Sequence, residues 1–189
     1  MNEDRYEIRL AGEGGQGIAL AGLVLAEALA LHEGKGVVMT QSYGAEQRGG
    51  ESRVDIVVGE GSTDYPGVLE ADLLVAMSQE AYDLRAQQMK PDALLLLDSG
   101  SVEHVNEHQK GEVVRVPLTQ AARRATGDPV TAAVLSLGVV SSLTGIVSPE
   151  SLEEAMQTRV PRDALRMSRD ALHAGVRLGK SLCARAEKA

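Results

Sequence analysis

The run Gly12-Glu13-Gly14-Gly15-Gln16-Gly17 lies between an alternating apolar stretch, residues 6–11, and a long Ala- and Leu-rich stretch, residues 18–31. A chain that passes from strand to helix in so few residues must turn on glycine. It thereby sets the first N–H groups of the helix at the edge of a sheet, where they can hold a phosphate. Gly12, Gly14 and Gly17 fit G-x-G-x-x-G in the required strand–turn–helix context. The acid that would bind ribose hydroxyls, expected about 20 residues further on at the end of the second strand, is missing. That strand ends in Thr40, Gln41 and Ser42, and Glu33 precedes it. A nicotinamide or flavin dinucleotide is therefore disfavoured. The P-loop pattern fails as well, because no Lys-Ser or Lys-Thr follows the glycines. The plain alternative is a tight turn with no ligand.

A second polar loop, Gln41-Ser42-Tyr43-Gly44-Ala45-Glu46-Gln47-Arg48-Gly49-Gly50-Glu51-Ser52, has a different logic. Arg48 stands before two glycines, so its planar guanidinium has bare backbone beside it, which suits a bidentate grip on phosphate or carboxylate. Ser42 and Tyr43 add hydroxyls. Alternatively, Glu46 or Glu51 neutralises Arg48 internally and the loop serves a subunit contact. Both loops follow strands, so they are expected to meet at one sheet edge. The candidate binding set is Gly12, Gly14, Gly15, Gln16, Gly17, Ser42, Tyr43, Arg48, Gly49 and Gly50.

The remaining pattern alternates strands and helices. Residues 6–11 predict a central strand, 18–31 a helix stopped by Gly34 and Gly36, and 37–40 a short buried strand. Residues 53–58 predict a strand antiparallel to the one before, because the span between them is too short for a helical crossover. Strands at 73–77, 93–97 (buried on both faces) and 113–116 follow, with a helix over 79–89. Helices are then predicted over 119–125, 130–143, 149–158 and 161–180. Asp128-Pro129 and Ser148-Pro149 mark two of the starts as N-cap plus first-turn proline. The expectation is one domain over residues 1–189: α/β, three-layer and Rossmann-like, with a mostly parallel, mixed sheet and a helical C-terminal tail. Apolar stripes in that tail, Leu152, Ala155 and Met156, then Leu165, Leu172, Val176 and Gly179, read mostly as core cover, with an adaptable contact surface as the alternative.

Composition excludes several functions. The net charge of −8 argues against nucleic acid, and four Tyr with no Phe or Trp leave few stacking platforms for bases. No apolar run approaches the ~20 residues of a membrane span, and the polar start predicts no signal peptide. The expectation is a soluble cytoplasmic protein. The single cysteine, Cys183, cannot form a disulfide framework or supply the thiolates of a zinc site or an iron–sulfur cluster. His104 and His108 stand at i and i+4 with no third ligand, so a solvated surface segment outweighs a metal site. His32 reads as a helix-terminus charge, His173 as a surface residue, and Cys183 as a packed or terminal thiol rather than a nucleophile.

At its two loops the chain resembles the gamma subunits, or gamma domains, of the 2-oxoacid:ferredoxin oxidoreductases. The resemblance rests on Gly14-Gly15-Gln16-Gly17, Ser42-Tyr43-Gly44, Arg48-Gly49-Gly50, Asp64-Tyr65-Pro66, Ala71-Asp72, Leu137-Gly138 and Val147-Ser148-Pro149-Glu150. It spans nearly the whole chain, and the short length is most similar to the 2-oxoglutarate branch. Thr131 and Ser168 stand where members often carry Asn, which puts any role of those asparagines in doubt here. The resemblance implies a complex that oxidatively decarboxylates a 2-oxoacid, pyruvate or 2-oxoglutarate among them, to acyl-CoA. It implies thiamine diphosphate, coenzyme A and [4Fe–4S] clusters for that complex, and electrons passed to ferredoxin. The thiamine site and the clusters would lie with alpha, beta and ferredoxin-like delta partners. This subunit would then contribute coenzyme A or anion binding and assembly, with no catalytic or metal residue of its own. Two other readings are a stand-alone Rossmann-like nucleotide-binding protein and a non-catalytic ligand-binding module.

Overall fold

The protein, taken from a computed structural model, is described over residues 5–43, 50–59 and 67–186. In chain order its elements are β1 (Tyr6–Glu13), α1 (Ile18–Glu27), a π-helical turn (Ala28–His32), β2 (Gly36–Tyr43), β3 (Glu51–Gly59), β4 (Ala71–Ala76), α2 (Gln79–Arg85), β5 (Met89–Asp98) and β6 (Glu112–Val116). Then come α3 (Leu118–Thr126), a 3-10 turn (Pro129–Thr131), α4 (Ala132–Thr144), α5 (Pro149–Arg159) and α6 (Leu165–Ala186). The strands form one sheet in the order β2-β3-β1-β4-β5-β6. β3 runs antiparallel to both of its neighbours, while β1, β4, β5 and β6 pair in parallel. The mixed sheet and the central β1 agree with the expectation.

Insertion of β3 between β2 and β1 corrects the reading of residues 37–40 as a short buried strand. β2 is eight residues long and lies at the sheet edge, with Thr40 and Ser42 exposed. Other boundaries move for local reasons. The helix expected over 18–31 is α-helical only to Glu27 and continues as a π turn. α2 ends at Arg85 rather than 89, because Met89 already pairs with Ala71 as the first residue of β5. α6 begins at Leu165 rather than 161 and runs on to Ala186. Ser148 and Asp128 are the expected N-caps, accepting from Ser151 N at 3.1 Å and Val130 N at 2.9 Å.

Period-2 alternation divides the strand side chains between two faces. Ile8, Leu10, Val54, Ile56, Leu73, Val75 and Leu96 face a thick layer of α1, α3, α4, α5 and α6. The fully buried Leu152, Ala155, Met156 and Leu172 confirm the tail as core cover. α4 and α6 touch backbone to backbone: a methyl at Gly138 would overlap Leu172 O, and one at Gly175 would overlap Leu135 O. The opposite layer is thin. Leu74, Ala76, Leu95 and Leu97 pack there on Ala81 and Tyr82 of α2 and on Val102 of the following loop.

Over β1 and β3 the thin side carries buried charges, Glu7, Arg9 and Asp55, beside the apolar Ala11 and Val57, a feature invisible to pattern reading. Arg9 lies directly opposite Asp55 in the β1–β3 register. It donates to both carboxylate oxygens, at 2.7 and 3.1 Å, to Val68 O at 3.0 Å and to Gln88 Oε1 at 2.6 Å, with both ions almost fully buried. Glu7, on the same face, accepts from Arg5 Nε at 2.6 Å, Leu69 N at 2.6 Å and Glu70 N at 3.2 Å. These charges lace residues 67–70 onto the sheet.

Removing one member of a buried pair strands the other. Arg9→Met is expected to cost about 3–5 kcal/mol in urea unfolding, whereas the double change R9M/D55V recovers most of that loss. Acid stability follows from three glutamates. Burial pushes the Glu27 carboxyl up, but hydrogen bonds from Thr158 and Arg159 outweigh it and hold it below the ordinary 4.5. Glu33 is held low by the Ser148 N–H and then by the Ser151 and Ser148 hydroxyls. Glu51 is raised by burial and lowered, on balance, by its bonds to Arg85. A carboxyl depressed in the folded state stabilises above its unfolded value, and that stability goes as pH falls through the folded one. The melting temperature should therefore hold from pH 8 to 6 and drop below about 4.5, with a shallower drop in Glu33→Gln.

Candidate functional site at the carboxyl edge of the sheet

β1 ends at Glu13, and the glycine turn that follows is braced from within. Gln16 Oε1 accepts from Glu13 N at 2.7 Å, and its Nε2 donates to Met77 O at 3.1 Å at the end of β4. Gln16 thus serves the turn itself. Its oxygen occupies the space a side chain at Gly12 would need. Gly15 and Gly17 both have left-handed backbone, with φ of 91° and 79°. Around Gly15 there is open space, whereas a methyl on Gly17 would come within 2.8 Å of Val130 O. Gly17 caps α1, whose first turn carries no acid and no side-chain cap, so that helix terminus is compatible with an anion.

The two loops meet. Gly14 N donates to Gly50 O at 3.2 Å, joining the glycine turn to the end of the second loop. Ser42 is exposed, opposite Arg53, and Tyr43 pairs in register with Ser52. Of the proposed set, the structure brings together Gly12, Gly14, Gly15, Gln16, Gly17 and Gly50 around one corner. Arg48 and Gly49 lie outside the described residues, as do Glu46 and the Asp64-Tyr65-Pro66 segment. Glu51 is engaged by Arg85, through Nε at 2.6 Å and through Nη2. That pairing raises the Arg85 guanidinium above its ordinary value and ties the start of β3 to α2.

The same edge holds a carboxylate that sequence reasoning passed over. Asp98, fully buried at the end of β5, accepts from Gly100 N and Ser101 Oγ, each at 3.2 Å, and from Thr119 N and its hydroxyl. It fastens β5 to the start of α3. The signal was available in Asp98-Ser99-Gly100-Ser101, an acid turning back on its own loop. Nothing local marked Arg85 as the partner of Glu51.

The lesser candidates are structural. His104 lies in a loop whose N–H groups at 103 and 104 both donate to Gln79 Oε1 at 3.0 Å. Among the described residues no three His, Cys, Asp or Glu side chains form a metal-sized group. His32 pairs with Glu154 at 2.8 Å, His173 with Glu153 at 2.6 Å, and Cys183 Sγ lies 3.5 Å from Ser142 O. Thr131 is buried, with its hydroxyl on Asp128 O at 2.8 Å and against Thr126 Oγ1 at 2.9 Å, so it closes a helix start. No helix among the described residues is long and apolar enough to cross a membrane.

Fold and edge together define a Rossmann-like α/β domain with a mixed sheet and an anion-compatible corner. Residues 7–178 match the family described as pyruvate ferredoxin/flavodoxin oxidoreductase, and the chain belongs to that family. It is 38% identical over 94% of its length to the 2-oxoglutarate synthase subunit KorC of Methanocaldococcus jannaschii, of which it covers 96%. The crystal structure of the gamma subunit of the keto/oxoacid ferredoxin oxidoreductase of Geobacter sulfurreducens superposes with a TM-score of 0.80 at 36% identity, covering 90% of this chain and 94% of that one. A chain of the 2-oxoglutarate:ferredoxin oxidoreductase of Magnetococcus marinus shares the fold, with a TM-score of 0.81 at 24% identity, 95% of this chain aligning with 32% of it.

The two left-handed glycines separate backbone strain from steric contact. Gly15→Ala should lose about 1 kcal/mol of stability from backbone strain alone. Gly17→Ala should lose roughly twice that, because Val130 must also move. Equilibrium unfolding of the two variants checks the order.

Proposed function

We propose that this chain is the gamma subunit of a 2-oxoacid:ferredoxin oxidoreductase whose substrate is 2-oxoglutarate, and that it is inactive by itself. The observation that carries this reading is the 38% identity, nearly end to end, with a 2-oxoglutarate synthase subunit. Residues 1–189 act as one gamma-type domain, located in the cytoplasm, and the 2-oxoacid is chosen by alpha and beta partners. Thiamine diphosphate and iron–sulfur clusters, held by those partners and by a ferredoxin-like delta subunit where one is present, supply decarboxylation and electron transfer. With one cysteine, Cys183, this chain cannot provide a cluster's set of thiolates.

Its own contribution is binding. The Gly14–Gly50 hydrogen bond supports convergence of the two loops. The acid-free start of α1 suits the phosphates of coenzyme A. In this reading the backbone at Gly12, Gly14, Gly15 and Gly17 approaches the anion, and Gln16 keeps the turn's shape. Ser42, Tyr43, Arg48, Gly49 and Gly50 close the corner from the second loop. Arg48 supplies the charge.

The test is anaerobic purification of the tagged chain from its host, followed by coenzyme A kinetics of the recovered complex. Thiamine-binding and cysteine-rich partners should co-purify, with dye reduction dependent on 2-oxoglutarate and coenzyme A. Arg48→Ala should then raise the coenzyme A KM about tenfold or more, in line with a lost charge-assisted contact, with the KM for 2-oxoglutarate unchanged. A chain that elutes alone would refute the subunit assignment. An unchanged coenzyme A KM would refute the site while leaving that assignment standing.

A further inference from the structure

Away from the glycine corner, α3 and α6 enclose a groove of about 380 Å³ on the outer side of the thick helical layer. Its apolar lining comes from Pro117, Ala121 and Ala125 on one wall and Ala174 and Leu178 on the other. Within each helix two of these residues are four apart, so each wall is a ladder one turn long, the surface against which the side chains of a second helix settle. Arg124 and Arg177 flank the groove. Neither is in an ion pair among the described residues, although the chain has 27 acids to 19 bases. The surrounding helices reverse the chain's overall sign. α3 contains Arg123 and Arg124 and no acid; α6 contains Arg166, Arg169, Arg177, Lys180 and Arg185 against Asp170. The helix dipole accounts for cations in the last turn of α3. It does not account for Arg177, in the middle of α6.

We propose that this groove docks an acidic amphipathic helix of a partner subunit, with apolar side chains between the two apolar ladders and carboxylates on Arg124 and Arg177. Charge complementarity selects the occupant. A second copy of this chain, at a net charge of −8, would bring its own Arg124 and Arg177 to a two-fold contact, where like charges repel. A small anion would find two charges but no converging set of buried donors, since Gln120 is the one uncharged polar side chain in the lining. The inference rests on the subunit assignment above and adds to it the face that makes the contact.

The experiment uses the assembled complex, co-expressed with its partner subunits. Arg124→Lys and Arg177→Lys keep the charge and introduce a primary amine, which a zero-length carbodiimide joins to any carboxylate already in contact with it. Mass spectrometry should find the introduced amine linked to an Asp or Glu in a helical segment of a partner subunit. In parallel, R124E/R177E should weaken association of this subunit about tenfold at low salt, with the gap closing as ionic strength rises. Ala125→Glu, which burdens the apolar wall, should weaken it at every salt concentration. Circular dichroism of the free subunit checks that each variant is folded, as its exposed position predicts.

Links confined to this chain, or to a second copy of it, in a complex that is intact and active would overturn the inference, as would wild-type association of R124E/R177E. Either result would leave the subunit assignment in place. Failure of any complex to form with the unaltered chain would overturn that assignment instead.

Discussion

Too few residues separate β2 from β3 for a crossover, so β3 must turn back alongside β2, and it pairs with β1 on its other flank. Much of the architecture depends on this one constraint. It places the carboxyl ends of β1 and β2 and the amino end of β3 at the same edge, which is why two loops far apart in function-bearing sequence touch through Gly14 and Gly50. It also sets Arg9 of β1 opposite Asp55 of β3. The price is an exposed flank on β2, the strand that pattern reading took for buried.

The thin side of the sheet shows how a layer can be closed with little apolar material. α2 is seven residues long and lies over β1 and β4, and beside it the buried charges of β1 and β3 add an ionic part to the closure. Glu7 and Arg9 bind the backbone at 68–70 and Arg5 that of Gly67, so the segment entering β4 is held by hydrogen bonds to charged side chains. Such a pair adds little to stability beyond what an apolar pair of the same volume would. It does demand one register, since a slip of a single residue would turn Arg9 into the opposite core.

At the glycine corner, geometry separates support from contact. Gln16, Gly12 and Gly17 are committed to the turn: Gln16 spans Glu13 and Met77, Gly12 makes room for it, and Gly17 fits beneath Val130. Gly15 faces open space, and the start of α1 beside it carries no acid. Of the acids at this edge, Glu51 and Asp98 are each engaged by their own donors, whereas Glu13 in the turn itself is exposed.

By itself the sequence determined the element order, the mixed sheet and the two-loop edge. Each of these depends on local rules: apolar periodicity, glycine where the backbone must be left-handed, proline after an N-cap, and a loop too short to cross. The family was legible through its motifs, several of which lie in those turns. Tertiary structure alone decided which strand lies at the edge, that Arg9 meets Asp55 and Arg85 meets Glu51, and that Gln16 is a brace. It also decided that Arg124 and Arg177 share one groove. Most of these depend on residues tens of positions apart, where no local propensity acts and pairing is settled by register and by the burial of charge.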